Sequence, residues 1–425
     1  MMIKHLEITN FRTFKHAEFN FEPGMNLIVG INGVGKTTVL DALRFCMLKM
    51  YPKLTAAKEQ LSMLRTSDYT NNTSMSMIKC VFNFKNEDVK FVRYRNRIDL
   101  EKSRNKKVHG GREFDRTEET SLPKTYTYES LKNSTRQPIG LFFSIKRSLP
   151  MHGLFLTTRQ TTKGPGRAFD QAFNDRFLQL GDFAQWMITQ EKLGKEDPTA
   201  KRHVKSLCIA AERFMPGFSN LHAVSQPKPS LFINKLGTTL NVLQLSDGER
   251  GMLALVLEIA KRLSQANPTM RDPLKNGKGI VLIDEIDLHL HPKWQRTVVH
   301  QLTETFPKIQ FIATTHSPQV ISEVKPEQVI LMPPSSKLPG RSYGLDSNSI
   351  LRKIFDTEER PFLASEAIHM VDKLINKVEF SKARKKIKIY QQMGLDLPEW
   401  AIFETRMTRM EKYADEIHPK KRPTR

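Results

Sequence analysis

The chain has 425 residues and is 39% hydrophobic. That is enough apolar material for a full core, and no long uncharged apolar run offers a membrane span. Lys and Arg number 67 against 45 Asp and Glu, a net charge of +22, so polyanionic partners, DNA or RNA, are favoured and their binding should be salt-sensitive. The opening residues lack the basic-then-apolar layout of a signal peptide, and Cys46, Cys80 and Cys208 lack the spacing of a zinc site or a disulfide framework, so a cytoplasmic protein with buried thiols is expected.

In chain order, alternating or aliphatic runs predict strands over 3–8, 17–21 and 26–29, and then a helix from Lys36. Between the third strand and that helix, Gly30-Ile31-Asn32-Gly33-Val34-Gly35-Lys36-Thr37 fits the phosphate loop G-x-x-x-x-G-K-[ST] in its proper context. Backbone amides from Asn32, Gly33 and Gly35 to Thr38 would converge on the phosphates of ATP. Lys36 would reach the terminal phosphates, and the Thr37 hydroxyl would coordinate Mg2+.

Residues 77–84 alternate, turn at 86–88 and return through Val89 and Phe91 as a β-hairpin. On the return strand Arg93, Arg95 and Arg97 recur with period two, about 6.5 Å apart, near the phosphate repeat of a nucleic-acid strand. Lys102, Arg104, Lys106 and Lys107 follow, in a polar and basic stretch over 99–136 that reads as an exposed insertion. Residues 79–112 hold 11 basic and 4 acidic residues, so these seven cations are the candidate nucleic-acid contacts, with a solvated basic face as the plain alternative. A buried strand over 138–145, helical stretches over 170–190 and 198–214, and a strand over 230–234 come next.

From Leu245 the pattern becomes strand–helix alternation, the signature of a parallel sheet. Ser246 and Glu249 form a capping box that opens a helix over 247–263, with Asp247 and Gly248 between them. Residues 280–283 are all aliphatic and end in Asp284-Glu285, where the carboxyl edge of a parallel sheet holds its ligand; Asp284 would hold Mg2+ and Glu285 would be the general base. A helix over 292–305 leads to a strand over 309–314, which brings Thr315 and His316 to the same edge. The His289 and His291 pair has no further ligand cluster around it and does not make a metal site. Helices over 360–377, 379–392 and 396–415 close the chain, and their apolar stripes (Ile387, Tyr390 and Gln391; Trp400, Phe403, Met407 and Met410) are expected to pack on the head or to accept a partner chain.

The order phosphate loop, Leu245-Ser246-Asp247-Gly248-Glu249, Asp284-Glu285, Thr315-His316-Ser317-Pro318 resembles the ABC-type ATPase heads of the RecF, Rad50 and SMC proteins. The resemblance implies an α/β head with a mixed or parallel sheet, flanking helices and an N-terminal antiparallel β-subdomain, followed here by a helical C-terminal subdomain. It further implies ATP and Mg2+ as ligands and an ATP-sandwiched dimer in which Ser246, Asp247, Gly248 and Glu249 bind nucleotide held by the other copy. Ile8-Thr9-Asn10-Phe11-Arg12 is similar to the start of those heads, which would place Arg12 at the phosphates; residues 286–292 look like their D-loop.

Leu290 to Arg296 and Thr315 to Val320 resemble more specifically the ATPases of anti-phage systems, the PtuA family of Septu and related retrons, which work beside a separate HNH nuclease. The implied function is a defence ATPase that dimerises around ATP and regulates a partner nuclease on nucleic acid. A RecF-like DNA repair ATPase is the alternative, and a transporter subunit is disfavoured by the charge. Two departures stand out: no glutamine of the Q-loop can be placed after Phe143, where Lys146 and Arg147 stand, and the residues after His316 lack the layout of a Toprim nuclease. The expected domains are 1–98 and 137–340 as the halves of the head, 99–136 as the insertion, and 341–425 as the helical subdomain.

Overall fold

A computed structural model describes residues 1–58, 75–97, 114–121, 127–148, 164–175, 180–332 and 361–417, with isolated residues at 68, 70, 73, 178, 344, 349, 350 and 355. Alternation near the N-terminus gives β1 (Met2–Phe11) and β2 (Phe14–Asn20), antiparallel with Leu6 opposite Phe19. The hairpin strands β4 (Met75–Phe84) and β5 (Glu87–Arg97) extend the same sheet, and β6 (Phe114–Thr120) completes it in the order β2-β1-β4-β5-β6. Two expectations change here. The hairpin turns at Lys85 and Asn86, both at positive φ as a two-residue turn requires, rather than at 86–88. Residues 114–120, read as part of an insertion, are the edge strand of this sheet.

The all-aliphatic runs build a second sheet of five parallel strands, in the order β13-β3-β12-β11-β7. These are β3 (Met25–Val29), β7 (Ile139–Phe143), β11 (Gly279–Ile283), β12 (Ile309–Thr315) and β13 (Val329–Leu331). Every residue of β3, β7, β11 and β12 is buried, as expected of strands covered on both faces. Helix α1 (Lys36–Leu54) touches strands of both sheets and is apolar nearly all round, with Phe45, Met47 and Tyr51 at 2% exposure or less. The Tyr51 hydroxyl donates to the Ile139 carbonyl at 2.5 Å, which satisfies the one polar atom of that ring.

Helices α2 (Leu180–Leu193) and α3 (Pro198–Phe214) follow. The first starts later than the 170–190 reading, because residues 170–173 form a turn in which Gln171 takes a positive φ. A three-stranded sheet, β8 (Phe218–Val224), β9 (Ser230–Lys235) and β10 (Thr238–Asn241), leads into α4 (Asp247–Ala266), and α5 (Pro292–Thr305) precedes β12. No helix among the described residues is long and apolar enough to cross a membrane.

The chain divides into two units, Met1–Ile350 and Leu351–Arg425, a boundary ten residues beyond the expected 341. The second unit packs α6 (Phe362–Asn376), α7 (Phe380–Gln392) and α8 (Glu399–Ile417) around Val371, Ile375, Ile387, Trp400, Phe403 and Met407. Tyr390 stacks on Trp400 with ring centroids 6.1 Å apart. The apolar stripes therefore face one another inside this unit, which is why most of them are not available to cover the head or a partner; Met410 stays 36% exposed.

Candidate nucleotide site

Four parallel strands end at one edge: β3, β11 and β12 deliver the predicted chemistry, and β7 leads to Arg147. The chain leaves β3 at Val29 and enters the phosphate loop, in which Gly33 and Gly35 take φ of 84° and 101°. Gly35 is doubly constrained, since a Cβ there would lie 2.7 Å from the Phe14 ring. Asn32 and Thr37 are exposed at the loop, and Thr38 is buried in the first turn of α1. The Lys36 ammonium folds back on the loop, donating to the carbonyls of Gly30 at 2.6 Å and Ile31 at 3.0 Å. Burial lowers its pKa, against the pull of Glu285, Asp284 and Asp287.

At the end of β11, the Asp284 carboxylate accepts from the Thr37 hydroxyl at 3.3 Å and from the Thr314 hydroxyl at 2.6 Å. A threonine hydroxyl and a carboxylate brought this close are hard oxygen ligands of the kind that hold Mg2+ beside phosphates, so the residues present fit that ion. Glu285 has φ of 49°, strained for a residue with a side chain. Its peptide is held from both sides: the N–H donates to the Thr314 hydroxyl at 2.7 Å, and the C=O accepts from Arg147 Nη2 at 2.6 Å. Its carboxylate makes no hydrogen bond to any described residue, which leaves it able to accept a proton from water.

Arg147 is the residue that sequence reasoning left unassigned. It stands just after β7, where a Q-loop glutamine was sought; it is buried, and Nη1 also donates to the Asp284 carbonyl at 2.5 Å and the Ser144 carbonyl at 3.1 Å. Burial pushes its pKa down to about 10, against the pull of Asp284, Asp287 and Glu285. Thr314 and Asp287 were also missed as functional residues. Asp287 accepts from the Thr315 hydroxyl at 2.6 Å and lies 3.8 Å from His316 Nε2, so the D-loop and the half-exposed His316 meet on one carboxylate.

One expectation is corrected, at Arg93. The Arg12 guanidinium pairs with Asp41 at 2.7 Å and Asp68 at 2.9 Å, and although burial opposes its charge, these carboxylates raise its pKa; its neighbour Thr13 packs against Gly35 of the phosphate loop, where an added Cβ would lie 3.0 Å from the Thr13 hydroxyl. Arg93 does not face solvent. It is 4% exposed, lies over the Phe45 ring at 4.6 Å and pairs with Glu118 at 2.9 Å, because the strand face that carries it turns toward α1. The side chains of Arg95 and Arg97, and all of Lys102, Arg104, Lys106 and Lys107, lie outside the described residues.

The predicted capping box is present at the start of α4: Ser246 Oγ accepts from the Glu249 N–H, and Glu249 accepts from the Ser246 N–H at 3.1 Å. Glu249 also pairs with Lys235 at 2.7 Å, so its carboxylate is committed to the cap rather than offered to a ligand. Asp247 pairs with Arg250 in the same turn. Ser246 and Asp247 are exposed. Gly248 packs on the D-loop of its own chain, where an added Cβ would sit 2.6 Å from the His289 carbonyl. His291 Nδ1 accepts from the Lys293 N–H at 3.3 Å and caps α5, a structural use of that side chain.

Residues 25–322 match the family described as "AAA domain, putative AbiEii toxin, Type IV TA system". The chain belongs to this family of ATPases. Within it the order of motifs resembles that of the ABC-type heads. Among curated relatives, "Retron Vc95 probable ATPase" of Vibrio cholerae serotype O1 biovar El Tor is 28% identical over 86% of this chain and 81% of that one. "Septu protein PtuA" of Bacillus thuringiensis is 24% identical over 78% of this chain and 76% of that one. "Retron Ec83 probable ATPase" of Escherichia coli is 42% identical over 41% of this chain, a match that spans only 32% of that protein.

Proposed function

We propose that this ATPase acts in an anti-phage system, closing as two copies around two ATP molecules and thereby controlling a separate nuclease, of the HNH type, that works on nucleic acid. The single observation that carries the ATP-dependent part is the Thr37–Asp284 approach at 3.3 Å, which joins the phosphate loop to the carboxylate edge. Thr37 and Asp284 would hold Mg2+ there, and the ion would supply charge neutralisation during phosphoryl transfer. Lys36 releases its two carbonyls to bind the terminal phosphates, Glu285 takes a proton from the attacking water, and Arg147 and Thr314 fix the peptide that carries Glu285. His316, with Asp287 3.8 Å from its Nε2, would sense or stabilise the γ-phosphate.

Support for two copies comes from α4: its capped N-terminus has Ser246 and Asp247 exposed, on a different element from the phosphate loop, and can serve nucleotide held by a neighbour. Support for the defence role and the nuclease partner is the likeness to the retron and Septu ATPases.

Glu285→Gln should cut hydrolysis at least about 100-fold, roughly 3 kcal/mol of barrier, and trap an ATP-dependent dimer seen by light scattering. Lys36→Ala should abolish nucleotide binding measured by calorimetry. Equal ATP affinity in Lys36→Ala and the parent protein would sink the site assignment; a Glu285→Gln protein that stays monomeric in ATP would sink the sandwich. Co-purification of a nuclease from native cells tests the partner.

A further inference from the structure

The edge of the parallel sheet opposite the nucleotide site opens into a cavity of about 910 Å³. Pro138 and Lys278, the residues immediately before β7 and β11, stand in its wall, whereas Phe143 and Asp284 mark the other ends of those strands. Six residues separate Lys278 from Asp284, roughly 20 Å at about 3.3 Å per residue, so the cavity is a separate place on the head. Its floor is apolar: Leu54, Phe84, Leu131 and Leu274 are all buried beneath it.

Charge in the wall is one-sided. Lys85, Arg136, Arg202, Lys205, Arg271 and Lys278 line it and are exposed, against one carboxylate, Asp272, whose oxygen accepts the Lys275 N–H at 3.1 Å as a helix cap. Several cations elsewhere do have acidic partners, as in Lys4 with Asp88, Lys79 with Glu7 and Arg384 with Glu411. Among the described residues no carboxylate lies within ion-pair distance of Arg136, Arg202, Lys205, Arg271 or Lys278, and Arg202 reaches only the Thr199 hydroxyl and the Pro268 carbonyl. Like charges gathered around a hollow repel one another, and a bound polyanion relieves that repulsion.

We propose that this cavity binds single-stranded nucleic acid, with phosphates on the basic wall. The volume lies in the range of built ligand sites and suits one or two nucleotides of a strand. Cations drawn from separate segments of the chain, the β4–β5 turn, the run before β7, α3 and the run before β11, suit a chain of phosphates better than one phosphate group. The inference rests on the nucleic-acid part of the proposed function and moves the contact away from Arg93.

The test is fluorescence anisotropy of the full chain with a short labelled single strand, DNA and RNA in turn, without ATP. The parent protein should bind with an affinity that falls as salt rises, and R136E/K205E/R271E should lose at least about tenfold. K385E/K386E/K388E, on exposed positions of the helical unit, should stay within about twofold, and both variants should hydrolyse ATP normally. R136Q/K205Q/R271Q should lose at least about threefold, which covers a failure of the charge-reversed protein to fold. Parent binding with no loss in either cavity variant, or an equal loss in the helical-unit variant, would overturn the cavity alone. A parent protein that binds no strand would overturn the nucleic-acid reading as well, and one that binds only inorganic phosphate would make the cavity a phosphate site instead.

Discussion

Two of the arginines buried in the ATPase head, Arg93 in the antiparallel sheet and Arg147 behind the carboxyl edge of the parallel sheet, do opposite things with the same group. Arg93 lies over the Phe45 ring and pairs with Glu118, so its charge is spent on joining α1 to the sheet. Arg147 meets backbone carbonyls, and two of those belong to Asp284 and Glu285. One arginine holds elements together; the other fixes the strained peptide of Glu285, the proposed general base. The lesson is that a buried cation near an ATPase motif acquires its role from its acceptors, which only the fold supplies.

Replacing Arg147 should have the largest effect on this contrast. Arg147→Met keeps much of the packing but removes the carbonyl brace, and ATP hydrolysis should fall about 30-fold, roughly 2 kcal/mol of barrier, with ATP affinity within about threefold. Single-turnover hydrolysis alongside calorimetric binding separates the two quantities; undiminished turnover would make Arg147 merely structural, like Arg93.

Arg93→Ala should act on stability instead. Loss of the ring contact and of the closer of the two cations on Glu118, which keeps Lys49 at 4.0 Å, should cost about 2 kcal/mol in urea unfolding, while ATP affinity and strand binding stay at parent values. A drop in strand binding at unchanged stability would return Arg93 to the nucleic-acid surface.

The smallest effect is expected away from both arginines, at His203, which stacks on Trp186 and whose pKa is lowered by burial. Its neutral form is therefore favoured in the fold. Below the free imidazole value of about 6.5 the unfolded chain takes up a proton that the folded chain resists, so stability is lost as pH falls through that value and is untouched above it. Between pH 7.5 and 5.5 His203→Gln should remove about 1–2 °C of the acid-induced fall in melting temperature; an identical fall in both proteins would show that burial does not discharge this ring.

Much of the nucleotide site was legible because its parts are short and contiguous. The loop from Gly30 to Thr37, the pair Asp284-Glu285 at the end of an aliphatic strand and the Ser246 cap each combine a residue pattern with a local element, and the structure joins the first two through Thr37 and Asp284. Arg147 was not legible, because its partners are carbonyls some 140 positions away and carbonyls carry no residue signature. The hairpin arginines misled for a related reason. Period two says that Arg93, Arg95 and Arg97 share a face, but not which face α1 will cover.

The sequence by itself determined most of the strand and helix segments, the phosphate loop, the Asp284-Glu285 pair at a strand end and the helix cap, all set by neighbours within a few residues. Tertiary structure alone decided that Arg93 is buried, that Arg12 answers to Asp41 and Asp68, that Arg147 braces Glu285, and that six cations from separate segments surround one hollow. The physical reason is range: backbone propensity and capping act along the chain, whereas burial and ion pairing are set by whatever the fold brings alongside.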